Sequence, residues 1–127
     1  LEQKTEHLYQ LKERFAEGLS GMEDVVINGM PLREGAPHIM SISFLGIRSE
    51  VLLHTLEDRG IYVSAGSACS SHKRKPSATL SAMGMSNGQI ENTVRFSFSE
   101  ENTFEEIDYC LEVLKEVLPM LKRYARR

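Results

Sequence analysis

Two thiols are the residues of this 127-residue chain best suited to do chemistry, and they stand in opposite surroundings. Cys69 lies in Ser64-Ala65-Gly66-Ser67-Ala68-Cys69-Ser70-Ser71, where every neighbour is small. Such a run permits backbone motion and lets another molecule approach closely. His72, Lys73, Arg74 and Lys75 follow at once, and nearby positive charge favours the thiolate, which is the nucleophilic form. The chemistry on offer is attack by sulfur. No base or orienting acid adjoins Cys69 in sequence, so composition alone leaves an incidental surface thiol in a connecting loop as an equal reading. Cys110 shares a helical face with Ile107, Leu114 and Leu118 and reads as a small core hydrophobe.

Other chemistries find less support. His72 lies three residues from Cys69, but His7, His38 and His54 are scattered at no ligand-like spacing, so no metal site is expected. The net charge is −3, and no stretch interleaves basic and aromatic residues as a nucleic-acid surface requires. No apolar run approaches the roughly 20 residues needed to cross a bilayer, and the N-terminus lacks the apolar core of a signal peptide. Two cysteines without such a signal point to a reducing compartment, hence to the cytoplasm, with no disulfide framework. The chain opens inside a helical pattern without an initiator Met, as part of a longer protein would.

The elements that must position these residues follow from periodicity. Leu8, Leu11, Phe15 and Leu19 recur at helical steps over the first twenty residues, with Gly21 as the stop. Val25–Asn28, closed by Asn28-Gly29, reads as a strand and turn, and Ile39–Phe44 as a second strand. Ser49 and Glu50 cap a helix carrying Leu52 and Leu56, which stops at Gly60; a short strand is expected over residues 61–63. Residues 64–75 read as a loop. Pro76 starts a helix with Leu80 and Met83, ended by Gly84, and Ser86 and Asn87 cap a short turn through Ile90. Residues 93–98 alternate as a strand. Thr103 and Glu106 form a capping box for a last helix with the stripe Ile107, Cys110, Leu111, Leu114, Val117, Leu118 and Leu121, kinked at Pro119. Lys122, Arg123, Arg126 and Arg127 oppose its dipole at the C-terminal end. Helices mixed with short strands, with 41% hydrophobic residues to build a core, predict one α+β two-layer domain over residues 1–127. The sheet should be short and mostly antiparallel.

With these residues in view, the sequence resembles the NifS-like cysteine desulfurases of the class V aminotransferase group of pyridoxal-phosphate enzymes. The resemblance rests on Gly35-Ala36-Pro37-His38-Ile39-Met40-Ser41-Ile42-Ser43-Phe44, then residues 64–71, then Val94-Arg95-Phe96-Ser97, then Glu105-Glu106-Ile107-Asp108, in the family's order and at similar spacing. The run Ser-Ala-Gly-Ser-Ala-Cys-Ser-Ser is similar to the group-one active-site loop, so Ser64, Gly66, Ser67 and Ser70 are loop candidates around Cys69. The resemblance implies that Cys69 accepts sulfur from L-cysteine as a persulfide and releases L-alanine. Arg95 is then the residue that holds the substrate's α-carboxylate, a task suited to a two-pronged, permanently charged guanidinium; a strand-edge salt bridge is the structural alternative.

The resemblance further implies the C-terminal small domain of a fold-type-I enzyme, a homodimeric whole, and an iron–sulfur scaffold or thiolation enzyme as sulfur acceptor. The family's cofactor lysine, ring-stacking residue and pyridine acid belong to a large domain not found in this sequence, so no cofactor binding is expected here and the isolated domain should be inactive. Ser99 stands where the family usually has glycine, which puts the turn after that strand in doubt. Other readings are a related class V enzyme such as a selenocysteine lyase, or a non-catalytic module docking a sulfur acceptor. Ser71-His72-Lys73 superficially resembles the family's cofactor-lysine run but directly follows the cysteine loop, whereas the family's run lies far upstream. Pyridoxal phosphate added to this chain should therefore give no visible absorbance band that Lys73→Ala removes; a Lys73-dependent band would contradict this reading.

Overall fold

The structure is a computed structural model that describes residues 2–29, 37–65 and 91–125. In chain order it contains α1 (Glu2–Leu19), β1 (Val25–Asn28), β2 (Ile39–Phe44), α2 (Ser49–Asp58), β3 (Ser64–Ala65), β4 (Thr93–Ser97) and a long last helix, α3 (Phe104–Ala125). The strands form a sheet in the order β1-β2-β4-β3, with every pairing antiparallel. This is the expected α+β architecture.

Side-chain alternation explains the layering. On β2, Met40, Ile42 and Phe44 point to one face, and on β4 Val94 and Phe96 join them, because the register pairs Met40 with Phe96 and Ile42 with Val94. All five are buried. Onto this face α1 sets Leu11, Phe15 and Leu19, α2 sets Leu52 and Leu56, and α3 sets its apolar stripe. The ring of Phe15 meets Phe96 edge-on at 4.9 Å between centroids and Phe98 at 6.0 Å, so α1 is seated directly on β4. Each such buried side chain contributes roughly 1.5–3 kcal/mol against exposure.

The helix ends show which local signals hold. The Thr103 hydroxyl accepts from the Glu106 backbone N–H (3.2 Å), and the Glu106 carboxylate accepts from the Thr103 N–H (2.8 Å), completing the expected capping box. A hydrogen bond from Asn102 Nδ2 and, after it, the one from the Thr103 N–H hold the Glu106 carboxyl below its ordinary range. Pro119 lies within α3, which continues to Ala125. Ser49 is not the cap of α2: it is the first helical residue, and Arg48 occupies the cap position without a side-chain hydrogen bond.

The strand expected over residues 61–63 is displaced to Ser64–Ala65. At the end of α2 the Gly60 N–H donates to Glu57 O (2.9 Å) and the Ile61 N–H to Leu56 O (2.9 Å), a Schellman arrangement with Gly60 at φ 83°. Closing the helix commits the amide of Ile61, and pairing with β4 begins only three residues later. The helix expected from Pro76 and the turn through Ile90 fall outside the described residues.

One close approach fixes α1 against α3. A Cβ built on Gly18 would collide with both methyls of Leu111, so the missing side chain is what lets the two helices meet there. Alanine favours an exposed helix over glycine by about 1 kcal/mol, yet Gly18→Ala should destabilise this protein, on the 1–3 kcal/mol scale typical of overpacking. Urea unfolding of Gly18→Ala, Leu111→Ala and the double variant checks this: the double variant should lose less than the two single losses added together.

Candidate functional site

The alternation that sends Val94 and Phe96 inward sends Thr93, Arg95 and Ser97 to the other face of β4. Arg95 is exposed there. Its cross-strand neighbours are Ser41 on β2 and Ser64 on β3, and Asn28 on β1 lies opposite Ser41. One row thus crosses all four strands as Asn28, Ser41, Arg95 and Ser64. Directly opposed residues in antiparallel strands have Cβ atoms about 4.5–5.5 Å apart, close enough for side chains to share a ligand. In the adjacent row Ser43 and Thr93 are fully buried with their hydroxyl oxygens 2.8 Å apart, and Asn28 Nδ2 donates to Ser43 Oγ at 2.9 Å. Three strands are thereby pinned together beside Arg95.

Arg95 sits on an inner strand, and among the described residues no carboxylate pairs with it. Two other arginines are engaged, Arg14 with Asp108 by two bonds of 2.7 and 2.8 Å and Arg59 with Glu116 by two of 2.8 and 2.9 Å, whereas the exposed Arg48 and Arg123, like Arg95, pair with no described carboxylate. The salt bridge considered as the alternative for Arg95 is not found among the described residues. Of the loop candidates, Ser64 is an exposed residue of β3 beside Arg95, whereas Gly66, Ser67, Cys69 and Ser70 lie outside the described residues. Ser41 and Asn28 were not singled out from the sequence, although the alternation of Ile39–Phe44 already places Ser41 opposite the apolar Met40, Ile42 and Phe44.

Cys110 lies where the helical stripe predicts. It is 8% exposed, unbonded to any other thiol, and packed in the core beside Ile107 and Leu114. Burial pushes its thiol up to about 12, which removes the thiolate at neutral pH. A cleft of about 450 Å³ opens between residues 60–63 and the start of α3, walled by Phe15, Phe96, Phe98, Ile107 and Cys110. Arg95 does not line it, although Ser97 does. Among the described residues no three metal-binding side chains cluster, and no helix is long and apolar enough to cross a membrane.

The family model for class-V aminotransferases matches residues 1–110. The chain belongs to the class-V aminotransferase family. Among its relatives, a cysteine desulfurase IscS from Photorhabdus laumondii is 37% identical over 122 residues, covering 96% of this chain and 30% of that protein. A NifS/IcsS protein homolog from Lactobacillus delbrueckii is 38% identical over 115 residues, covering 91% of this chain and again 30% of the relative. This class-V chain thus spans about a third of the length of the curated proteins it matches. A solved NifS-like protein superposes with a TM-score of 0.77 at 31% identity, over 92% of this chain and 28% of the other. A NifS-like protein from Rickettsia africae shares the fold, with a TM-score of 0.71 at 21% identity over 89% of this chain and 28% of that one.

The two cysteines should separate in a thiol titration. At pH 8 Ellman's reagent should react rapidly with one thiol per native chain, a reaction that Cys69→Ser removes, and with Cys110 only after denaturation. The folded Cys110 ionises at a higher pH than the unfolded one, so its contribution to stability is complete below the ordinary thiol range and is lost as pH rises toward about 12. Cys110→Ala should abolish that part of the alkaline loss measured by urea unfolding.

Proposed function

We propose that this chain is the C-terminal small domain of a cytoplasmic, homodimeric, pyridoxal-phosphate-dependent cysteine desulfurase. Arg95 binds the α-carboxylate of L-cysteine, and Cys69 takes the sulfur. The observation that carries this reading is the placement of Ser64 beside Arg95, which pairs with no carboxylate among the described residues. From Ala65, at the end of β3, the chain has only four residues to reach Cys69, a tether of at most about 14 Å. A carboxylate held on Arg95 therefore lies within short reach of the thiol. Membership of the class-V family and the similarity to proteins named cysteine desulfurase support the same assignment.

In the net reaction the Cys69 thiol and L-cysteine give a Cys69 persulfide and L-alanine: a sulfur–sulfur bond forms, the substrate's carbon–sulfur bond breaks, and its carbon takes a proton. Pyridoxal phosphate, when bound by the whole protein, supplies the electron sink that weakens that carbon–sulfur bond. The described lysines, Lys4, Lys12, Lys115 and Lys122, all lie on α1 and α3 and none is on the sheet face with Arg95, so these residues do not fit the cofactor. The reading places the cofactor lysine in protein beyond this chain. The persulfide then passes to an iron–sulfur scaffold or a thiolation enzyme, a transfer that requires the thiol to serve two sites in turn.

Sulfide release from L-cysteine, with pyridoxal phosphate and a reductant present, tests the assignment. This chain alone should produce none. A whole protein carrying it should turn over, lose turnover with Cys69→Ser, and show a KM raised at least tenfold with Arg95→Gln. Undiminished sulfide from the Cys69→Ser protein would overturn the role given to this thiol.

A further inference from the structure

The C-terminal end of β4 carries backbone groups that the described residues leave unused. The Phe98 N–H donates to His38 O (2.8 Å) and the Phe44 N–H to Asn92 O (3.0 Å), so the even-numbered residues of β4 turn their backbone groups toward β2. The odd-numbered residues turn theirs toward β3. There Ser64 stands opposite Arg95, and a ladder continued in that register would set Tyr62 opposite Ser97. It is not continued. Pairing with β4 begins at Ser64, the Ile61 N–H is bound to Leu56 O, and among the described residues no backbone bond joins residues 61–63 to Ser97. The cleft of about 450 Å³ occupies that gap, with Ser97 and Tyr62 among its lining, and its walls Phe15, Phe96, Ile107 and Cys110 belong to the buried core.

We infer that this cleft seats an extended strand from the rest of the longer protein, which pairs with the Ser97 N–H and C=O and closes the core with apolar side chains on alternate residues. The inference rests on the reading of the chain as one domain of a longer protein, and not on the roles given to Arg95 and Cys69. The backbone calls for an extended occupant, because a main chain offers one acceptor and one donor per residue at the spacing of a strand edge. The pleat sets its side chains. The residue opposite Ser97 faces outward, as Ser97 does, and its two neighbours face inward beside Phe96 and Phe98, so an apolar–polar–apolar triplet fits. What the strand covers decides its source. The cleft opens onto core residues, and contacts that resemble a core cut in half are permanent ones rather than transient encounters. This chain spans about a third of the length of the curated proteins it matches, so most of such a protein is available to supply the strand.

Amide hydrogen exchange, read residue by residue, tests this. In the 127-residue chain the Phe98 amide should be protected, whereas the Ser97 amide should exchange nearly as fast as in an unfolded peptide. In a whole protein carrying the chain, Ser97 should slow by at least about a hundredfold while Phe98 keeps its protection. A Ser97 amide already protected in the chain alone, or equally fast in both proteins, overturns the inference. The source of the strand is read by placing the photo-crosslinking residue p-benzoylphenylalanine at position 62 of the whole protein, because Tyr62 is exposed and lines the cleft. Crosslinks should run within one polypeptide to a segment outside these 127 residues. Crosslinks confined to these residues, or joining two polypeptides, also overturn the inference. The sulfide assay reads neither quantity: a protected Ser97 in a whole protein without desulfurase turnover sinks the proposed reaction and leaves the strand seat standing, and an active protein with an unprotected Ser97 does the reverse.

Discussion

The pairing register of β2 with β4 is the constraint on which the domain depends, because it decides simultaneously what is buried and what is offered to a ligand. Met40 opposite Phe96 and Ile42 opposite Val94 form the floor on which α1 and α3 pack. The same pairing sets Ser41 opposite Arg95 on the reverse face. A slip of one residue would drive Arg95 into the core and expose Phe96, exchanging a satisfied floor for a buried charge. The apolar core thus holds the arginine outward without touching it.

Around that register the rest of the molecule acts as a clamp. Phe15 bears edge-on against Phe96 and Phe98, and the glycine at position 18 admits Leu111 so that α1 and α3 share the floor. The exposed pairs Arg14–Asp108 and Arg59–Glu116 tie α3 to α1 and to the end of α2. Being solvated, they add orientation more than stability. On the reverse face the bonds from Asn28 to Ser43 and between Ser43 and Thr93 lock β1, β2 and β4 where no large apolar side chain could do so without hiding Arg95.

The two cysteines show how environment divides one chemistry into two fates. Cys110 is on the core side, where loss of hydration makes the thiolate costly, and it serves as packing. In the proposed function Cys69 is its opposite, a thiol four residues past Ala65 that reacts as the nucleophile. The Schellman closure of α2 holds Ile61 at the helix end, and Ser64 and Ala65 then pair with β4 on the way toward Cys69.

By itself the sequence determined whatever depends on local spacing. The stripe from Ile107 to Leu121 specified α3 and the burial of Cys110, the Thr103–Glu106 pair specified its start, and alternation in Ile39–Phe44 and in the segment from Thr93 specified β2 and β4. The family was legible in the motifs around Cys69 and Arg95. Pairing decided the remainder. Which strand lies beside which is decided by contacts between residues 13, 54 and 31 positions apart, so the row of Asn28, Ser41, Arg95 and Ser64 has no signal in any short stretch of chain. The same holds for the start of β3, which lies three residues past the closed end of α2, and for the isolation of Arg95 from any described carboxylate. Periodicity tells which face a side chain takes, whereas only the folded sheet tells what stands next to it.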